Sequence, residues 1–188
     1  MKFEKMALGQ IRLIAMDVDG VLTDGSIIIG TGGFEAKMFS ARDGLGLNVL
    51  VKLGYQVAWV TGRSSDIVTQ RAKELHIPHL MQGITNKVEA IEELLIKLNL
   101  NWDNVMYIGD DLNDWGPFQK AAITFTVSNG CTEIKERADY ITNAVGGSGA
   151  VREIIELFLK HEQRWAEALG LYSDNGHQRQ TSSKGEIQ

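Results

Sequence analysis

At 188 residues the chain has the length of one ordinary domain, and a 44% share of hydrophobic residues is enough to build its core. A formal charge of −5 speaks against a nucleic-acid partner, no apolar stretch is long enough to span a membrane, and the lone Cys131 excludes an intrachain disulfide and a multi-cysteine zinc site. The opening MKFEKMALGQ holds no hydrophobic signal segment, so the expected location is the cytoplasm.

The first element is an apolar run, Ile11 to Met16, which reads as a buried strand and stops at Asp17-Val18-Asp19-Gly20. Two acids thus fall at the C-terminal end of a strand, where open α/β sheets bind their ligands. Their mutual repulsion makes sense if a cation sits between them, with one acid serving as nucleophile and the other as proton donor. Ser26 to Ile29 and Ala36 to Ser40 flank Gly30-Thr31-Gly32-Gly33 and predict a hairpin. Gly44 to Leu53 predicts a helix ended by Gly54, and Gln56 to Val60 a second buried strand ending at Thr61-Gly62-Arg63. Ser64 to Leu75 follows as a helix with Ser64 or Ser65 as its cap, then His79 to Gln82 as a short strand. Val88, Ile91, Leu94, Leu95 and Leu98 recur at helical spacing in a helix that starts just before Lys87.

Asn104 to Ile108 is a third buried strand and ends at Gly109-Asp110-Asp111-Leu112-Asn113-Asp114. Ala122 to Val127 and Tyr140 to Thr142 complete the strands, and Ala150 to Lys160 forms a late helix. Strands alternating with helices predict an α/β fold, a Rossmann-like three-layer sandwich around a central, mainly parallel sheet with a small β-hairpin flap. The intervals leave no room for a large cap domain. One hairpin and one helix fill Asp19 to Thr61, and one helix and a short strand fill Thr61 to Lys87. The folded domain is expected over residues 1–172, with 173–188 a polar, flexible tail.

Taken singly, these signals have ordinary meanings. An Asp-x-Asp after a strand is commonly a turn or helix cap, GDDLNDW reads equally well as a capped helix start, and Lys87 alone is a surface helix lysine. His76, His79, His161 and His177 show no metal spacing; Trp59 and Trp102 read as packing residues, whereas Trp115, beside Asp114, keeps a substrate-facing reading open.

Their order changes the reading. DVDGVLTDG, then TGR, then Lys87, then GDDLND resembles the haloacid dehalogenase-like phosphohydrolase superfamily over about Ile11 to Lys160. Within it, DVDGVLTDG, the RDGLG at Arg42 to Gly46 and the GGSGAVRE at Gly146 to Glu153 look most like the 3-deoxy-D-manno-octulosonate 8-phosphate phosphatases. Met16 in place of a common Thr, Thr61 in place of a common Ser, and the hairpin tip Thr31-Gly32-Gly33 depart from the usual pattern without removing a catalytic group.

The resemblance implies a magnesium-dependent phosphatase acting on a keto-sugar acid phosphate in lipopolysaccharide precursor synthesis. Asp17 is then the nucleophile that becomes an aspartyl-phosphate, and Asp19 carries the proton. Thr61 and Lys87 complete the catalytic group, while Gly62, Arg63, Arg71 and Thr23 bind substrate. Mg²⁺ is held by Asp17, Asp110 and the backbone carbonyl of Asp19, with Asp111 and Asp114 supporting metal waters and Lys87. With no cap, the site must accept a macromolecule or borrow cover from neighbouring subunits, and the resembled phosphatases are homotetramers whose sites are completed across subunits. Sibling phosphatases of nine-carbon keto-sugar acid phosphates resemble the chain over the same motifs. They carry an acid where this chain has Arg63 and a base near Glu74, so the charges here favour the eight-carbon substrate. A phosphoprotein phosphatase and a non-catalytic interaction module are the remaining alternatives, the latter opposed by the retention of Asp17, Asp19, Lys87 and Asp110.

Overall fold

The computed structural model describes residue 7 and residues 9–173. In chain order the elements are β1 (Leu13–Met16), β2 (Ile28–Ile29), β3 (Glu35–Ala36), α1 (Ala41–Lys52), β4 (Gln56–Val60), α2 (Asp66–Glu74), β5 (His79–Met81) and α3 (Lys87–Leu98). There follow β6 (Val105–Gly109), α4 (Trp115–Lys120), β7 (Ile123–Thr126), α5 (Thr132–Arg137), β8 (Tyr140–Ile141), α6 (Ala150–His161) and α7 (Trp165–Gly170). Six strands form one parallel sheet in the order β5-β4-β1-β6-β7-β8, and β2 pairs antiparallel with β3 as a separate hairpin. Among the described residues no helix is long and apolar enough to cross a membrane, and the expected tail beyond Ser173 lies outside them.

The sheet is buried on both faces because successive side chains of a strand point to opposite sides. Ile14 and Met16 of β1 join Leu47, Leu50, Ile154 and Phe158 of α1 and α6 on one face. Leu13 and Ala15 join Ile91, Leu94, Phe118 and Ile134 of α3, α4 and α5 on the other. All four β1 side chains are fully buried, so Asp17 is the first residue of the strand's extension to meet the cleft.

Several boundaries differ from the sequence reading. α1 starts at Ala41, ahead of Gly44, with the Ser40 hydroxyl accepting the Asp43 N–H at 3.3 Å. Its glycines are packing positions inside the helix: a Cβ on Gly44 would lie 2.4 Å from Arg71 Nη2, and one on Gly46 would lie 3.1 Å from Ile155 Cδ1. The hairpin strands shrink to two residues each, because the tip closes through a short 3₁₀ turn with Gly32 and Gly33 at positive φ. Ser65 stands at the cap position of α2 but makes no side-chain cap bond, its hydroxyl donating instead to Glu35.

Asp43 holds two distant segments together. It is buried, and its carboxylate accepts the Gly149 N–H at 3.1 Å and the Arg152 N–H at 2.7 Å, capping the start of α6 from α1. Burial pushes its pKa up while the two backbone N–H groups pull it back. Just before α6, Gly146 lies so close to the first loop that a Cβ there would sit 1.7 Å from the Gly20 carbonyl oxygen. We expect Asp43→Ala to lower unfolding stability by about 1–3 kcal/mol, since it strands one buried and one half-buried N–H group, read as a reduced denaturant midpoint; an unchanged midpoint would contradict this role.

Candidate active site

β4 lies on one side of β1 and β6 on the other, so the chain diverges at β1 and opens a crevice at the strands' C-terminal ends. Met16 is in register with Trp59 and Ile108, and the Asp17 N–H donates to the Ile108 carbonyl at 3.0 Å. Asp17, Thr61 and Asp110 therefore emerge side by side into an open cleft of about 700 Å³ that Asp19, Gly62 and Arg63 also line.

Lys87 enters from below as the first residue of α3, whose N-terminus Asn86 caps through its side chain. The lysine side chain is 3% exposed, with Nζ 2.9 Å from Asp17 Oδ2 and 2.7 Å from Asp114 Oδ1. Asp114 is fully buried: Oδ1 also accepts the Tyr107 hydroxyl at 2.6 Å, and Oδ2 accepts the Asp110 N–H at 2.9 Å. Gly109 makes this possible, since a Cβ there would fall 2.4 Å from the Asp114 carboxyl carbon.

One ammonium faces three carboxylates, and the imbalance shows in their acidity. Burial, reinforced by Asp114, pushes Asp17 up to about 6 even though Lys87 pulls the other way. Burial together with Asp114 and Asp17 pushes Asp110 up to about 8. For Lys87, burial would lower the pKa, but the charges of Asp114 and Asp17 outweigh it and hold the ammonium above the ordinary lysine value.

The donor set fits a hard divalent cation. Asp17, Asp110 and Asp114 each offer an oxygen within 4.8 Å of the others. Asp114 is already saturated by Lys87, Tyr107 and backbone N–H groups, which leaves Asp17 and Asp110 with oxygens open to a cation. Asp110 Oδ1 is buried with no hydrogen-bond partner, and Gly20 cradles this carboxylate so closely that a Cβ would lie 2.0 Å from Oδ2. A buried orphan oxygen beside a second acid is the arrangement a cation completes.

A family profile for haloacid dehalogenase-like hydrolases matches residues 76–155. The 3-deoxy-D-manno-octulosonate 8-phosphate phosphatase KdsC of Salmonella typhi is 43% identical over 160 residues, 85% of either chain, and that of Escherichia coli K12 is equally similar. The chain belongs to the 3-deoxy-D-manno-octulosonate 8-phosphate phosphatase family. Among solved structures, the phosphatase of Moraxella catarrhalis, in complex with magnesium, phosphate and KDO, aligns with a TM-score of 0.87 at 42% identity, covering 92% of this chain and 98% of that one.

Two of the three strings that most resemble the 3-deoxy-D-manno-octulosonate 8-phosphate phosphatases, DVDGVLTDG and GGSGAVRE, meet in space. Gly147 donates its N–H to the Val21 carbonyl at 3.0 Å, beside the Gly146–Gly20 approach. The remaining residues expected at a site of this family are placed unevenly. Thr61 is buried, its hydroxyl oxygen accepting the Arg63 N–H at 3.3 Å, while Gly62 and Arg63 are exposed at the rim. Asp111 is exposed and caps Leu112 at 2.8 Å.

Two residues grouped with the substrate contacts are placed elsewhere. Thr23 is 1% exposed, and its hydroxyl oxygen accepts the Gly20 and Gly25 N–H groups at 3.4 and 3.2 Å, so it staples the first loop from inside. Arg71 pairs with Glu74 at 2.8 Å and lies over the Phe39 ring, away from the wall of its own cleft. Trp115 turns to Arg137, whose guanidinium carbon lies 5.5 Å from its ring centre.

The sequence reading missed Tyr107, Glu35 and Lys37. Tyr107 was hidden inside an apolar strand. Glu35 and Lys37 had a signal, since charged residues alternate with Phe34, Ala36 and Met38, but alternation does not say which face is inward.

A carboxyl whose pKa is raised by folding binds its proton more tightly folded than unfolded, so its contribution to stability falls as pH climbs from its unfolded to its folded pKa. For Asp110 that window runs from 3.8 to about 8. The rise in melting temperature caused by Mg²⁺ over chelator should therefore be small near pH 5 and largest above pH 8, as scanning calorimetry can measure; a Mg²⁺ response independent of pH would contradict the charge imbalance.

Proposed function

We propose that the chain hydrolyses 3-deoxy-D-manno-octulosonate 8-phosphate to 3-deoxy-D-manno-octulosonate and phosphate through an aspartyl-phosphate on Asp17, in lipopolysaccharide precursor synthesis. The observation that carries this reading is Asp17 at the floor of an open cleft, bonded to buried Lys87 and facing Asp110, in a chain so similar to a phosphatase seen with magnesium, phosphate and KDO.

The chemistry follows from placement. Uncatalysed phosphate monoester hydrolysis is slow enough that enzymes supply accelerations of up to ~10²¹, so several effects act together. Val18 N–H bonds Asp17 Oδ1 at 2.7 Å and Lys87 bonds Oδ2, which fixes the carboxylate for in-line attack on phosphorus. As the Asp17–phosphorus bond forms, the bond from phosphorus to the sugar oxygen breaks, and Asp19 gives that oxygen its proton. Asp19 then takes a proton from the water that attacks phosphorus, releasing phosphate and restoring Asp17. Lys87, held by Asp114, whose carboxylate the Tyr107 hydroxyl holds in turn, offsets the charge that gathers on Asp17 and the phosphoryl group. The Thr61 hydroxyl and Gly62 N–H bind phosphoryl oxygens. Asp17, Asp110 and the Asp19 carbonyl would hold Mg²⁺, which when bound would supply electrostatic neutralisation between the anionic phosphate and the acids, with Asp111 placed to order waters.

Arg63 at the rim offers a cation to the carboxylate of a keto-sugar acid phosphate. A homotetramer with sites completed across subunits is supported by the hairpin's outer surface. Ile28, in register with Ala36, and Phe34 and Met38 on the same side are 46%, 60% and 66% exposed, an apolar patch more suited to a protein neighbour than to water. In such an assembly Arg71 serves the site of an adjacent subunit. We place the phosphatase domain at residues 1–172, the tail at 173–188, and the protein in the cytoplasm.

The test is phosphate release with Mg²⁺ across eight- and nine-carbon keto-sugar acid phosphates, hexose phosphates and a phosphopeptide. The eight-carbon substrate should give the highest kcat/KM, and Asp17→Asn should lose activity by on the order of 10³-fold or more while staying folded. A preference for phosphopeptide, or an active Asp17→Asn variant, would overturn the reading.

A further inference from the structure

We propose that Lys37 is the positioning residue for Asp19, so that the hairpin holds the proton carrier over the cleft where a cap domain is lacking. Lys37 follows β3 directly, and its side chain is 1% exposed although it lies on a small surface hairpin. Lysine is almost never so buried without a partner, and its partner here is Asp19 Oδ1, which it bonds directly. Among the described residues no other hydrogen bond or ion pair to the Asp19 carboxylate is present, so this contact alone fixes its rotamer.

Glu35 and Lys37 share the inward face of the strand, two residues apart. Glu35 accepts the Ser65 hydroxyl at 2.8 Å and lies 3.9 Å from both Lys37 Nζ and Arg63 Nη2. The hairpin is thus fastened at two points, to the first loop through Asp19 and to the start of α2 through Ser65. Phe34 and Met38 face outward. Lys37 does not line the cleft, so it acts through Asp19 and not on the phosphate.

The inference rests on the reading of Asp19 as proton carrier and predicts a selective defect. Transfer of a phosphoryl group to Asp17 from p-nitrophenyl phosphate needs no proton for its leaving group. Expulsion of a sugar oxygen needs a proton delivered and activation of water needs one removed, and both require a well-aimed Asp19. Losing Lys37 should therefore spare the first process and slow the other two.

The experiment compares wild type, Lys37→Met, Lys37→Arg and Asp19→Asn with saturating Mg²⁺. Two rates are measured: the pre-steady-state burst of p-nitrophenolate, and steady-state turnover of 3-deoxy-D-manno-octulosonate 8-phosphate. For Lys37→Met, kcat on the sugar phosphate should fall roughly 10–100-fold with KM and the burst rate within about threefold of wild type, as loss of aim in a general acid–base predicts. Lys37→Arg should recover most of kcat. An equal loss in both rates, or an unchanged kcat, would overturn the proposal. If Lys37→Met does not fold, Lys37→Gln, which keeps a donor but no charge, is judged by the same two rates. Asp19→Asn separates the two levels: a split between the rates in Asp19→Asn but not at Lys37 sinks the proposal alone, whereas no split in Asp19→Asn sinks the reading beneath it.

Discussion

Lys87 bonds Asp17 and Asp114 at once, and the negative charge it leaves unmatched governs how the surrounding fold is built. The lysine must be desolvated to reach both acids, which it does by sitting at the buried start of α3. Asp114 must hold Lys87 without competing for a cation, which it does by spending its oxygens on Tyr107 and the backbone of the β6 loop. Asp17 and Asp110 are left with excess charge at the cleft, and burial together with that charge raises both pKa values. The site is thus strained electrostatically in a way that favours a divalent cation and then a phosphate.

That arrangement depends on backbone approaches only glycine permits. Gly20 admits Asp110, Gly109 admits Asp114, and Gly146 brings the loop before α6 against the loop after β1. Asp43 ties that second loop to α1. The signature strings of the family are therefore one connected structure: the loop that carries Asp17 is braced by a segment more than a hundred residues later in the chain. The hairpin, too small to be stable alone as a two-stranded ribbon, is held through buried charges on its inner side and leaves apolar residues outside.

Much of this was legible in the sequence. β1, β4 and β6 announced themselves as apolar runs ending in acids or TGR, and the absence of a cap followed from counting residues between them. Lys87 was legible only by its place in the order, since nothing local separates it from a surface lysine. What stayed hidden was long-range. The glycines of α1 read as punctuation because the side chains that crowd them, Arg71 and Ile155, come from other helices. Asp43 caps a helix that begins more than a hundred residues downstream. Thr23 was grouped with the substrate contacts, but its hydroxyl satisfies backbone N–H groups inside its own loop. Glu35 and Lys37 were passed over because period-2 alternation names two faces without saying which one is buried.

The most direct test of the charge imbalance is the melting temperature of Asp110→Asn beside wild type above pH 8, where the Asp110 carboxyl of the metal-free protein is ionised, each in chelator and in Mg²⁺. Removing a half-buried carboxylate whose Oδ1 has no hydrogen-bond partner should relieve repulsion from Asp17 and Asp114. In chelator the variant should melt about 4 °C or more above wild type, and Mg²⁺ should stabilise wild type while leaving the variant unmoved. A variant that melts below wild type in chelator, or gains as much from Mg²⁺, would contradict the account.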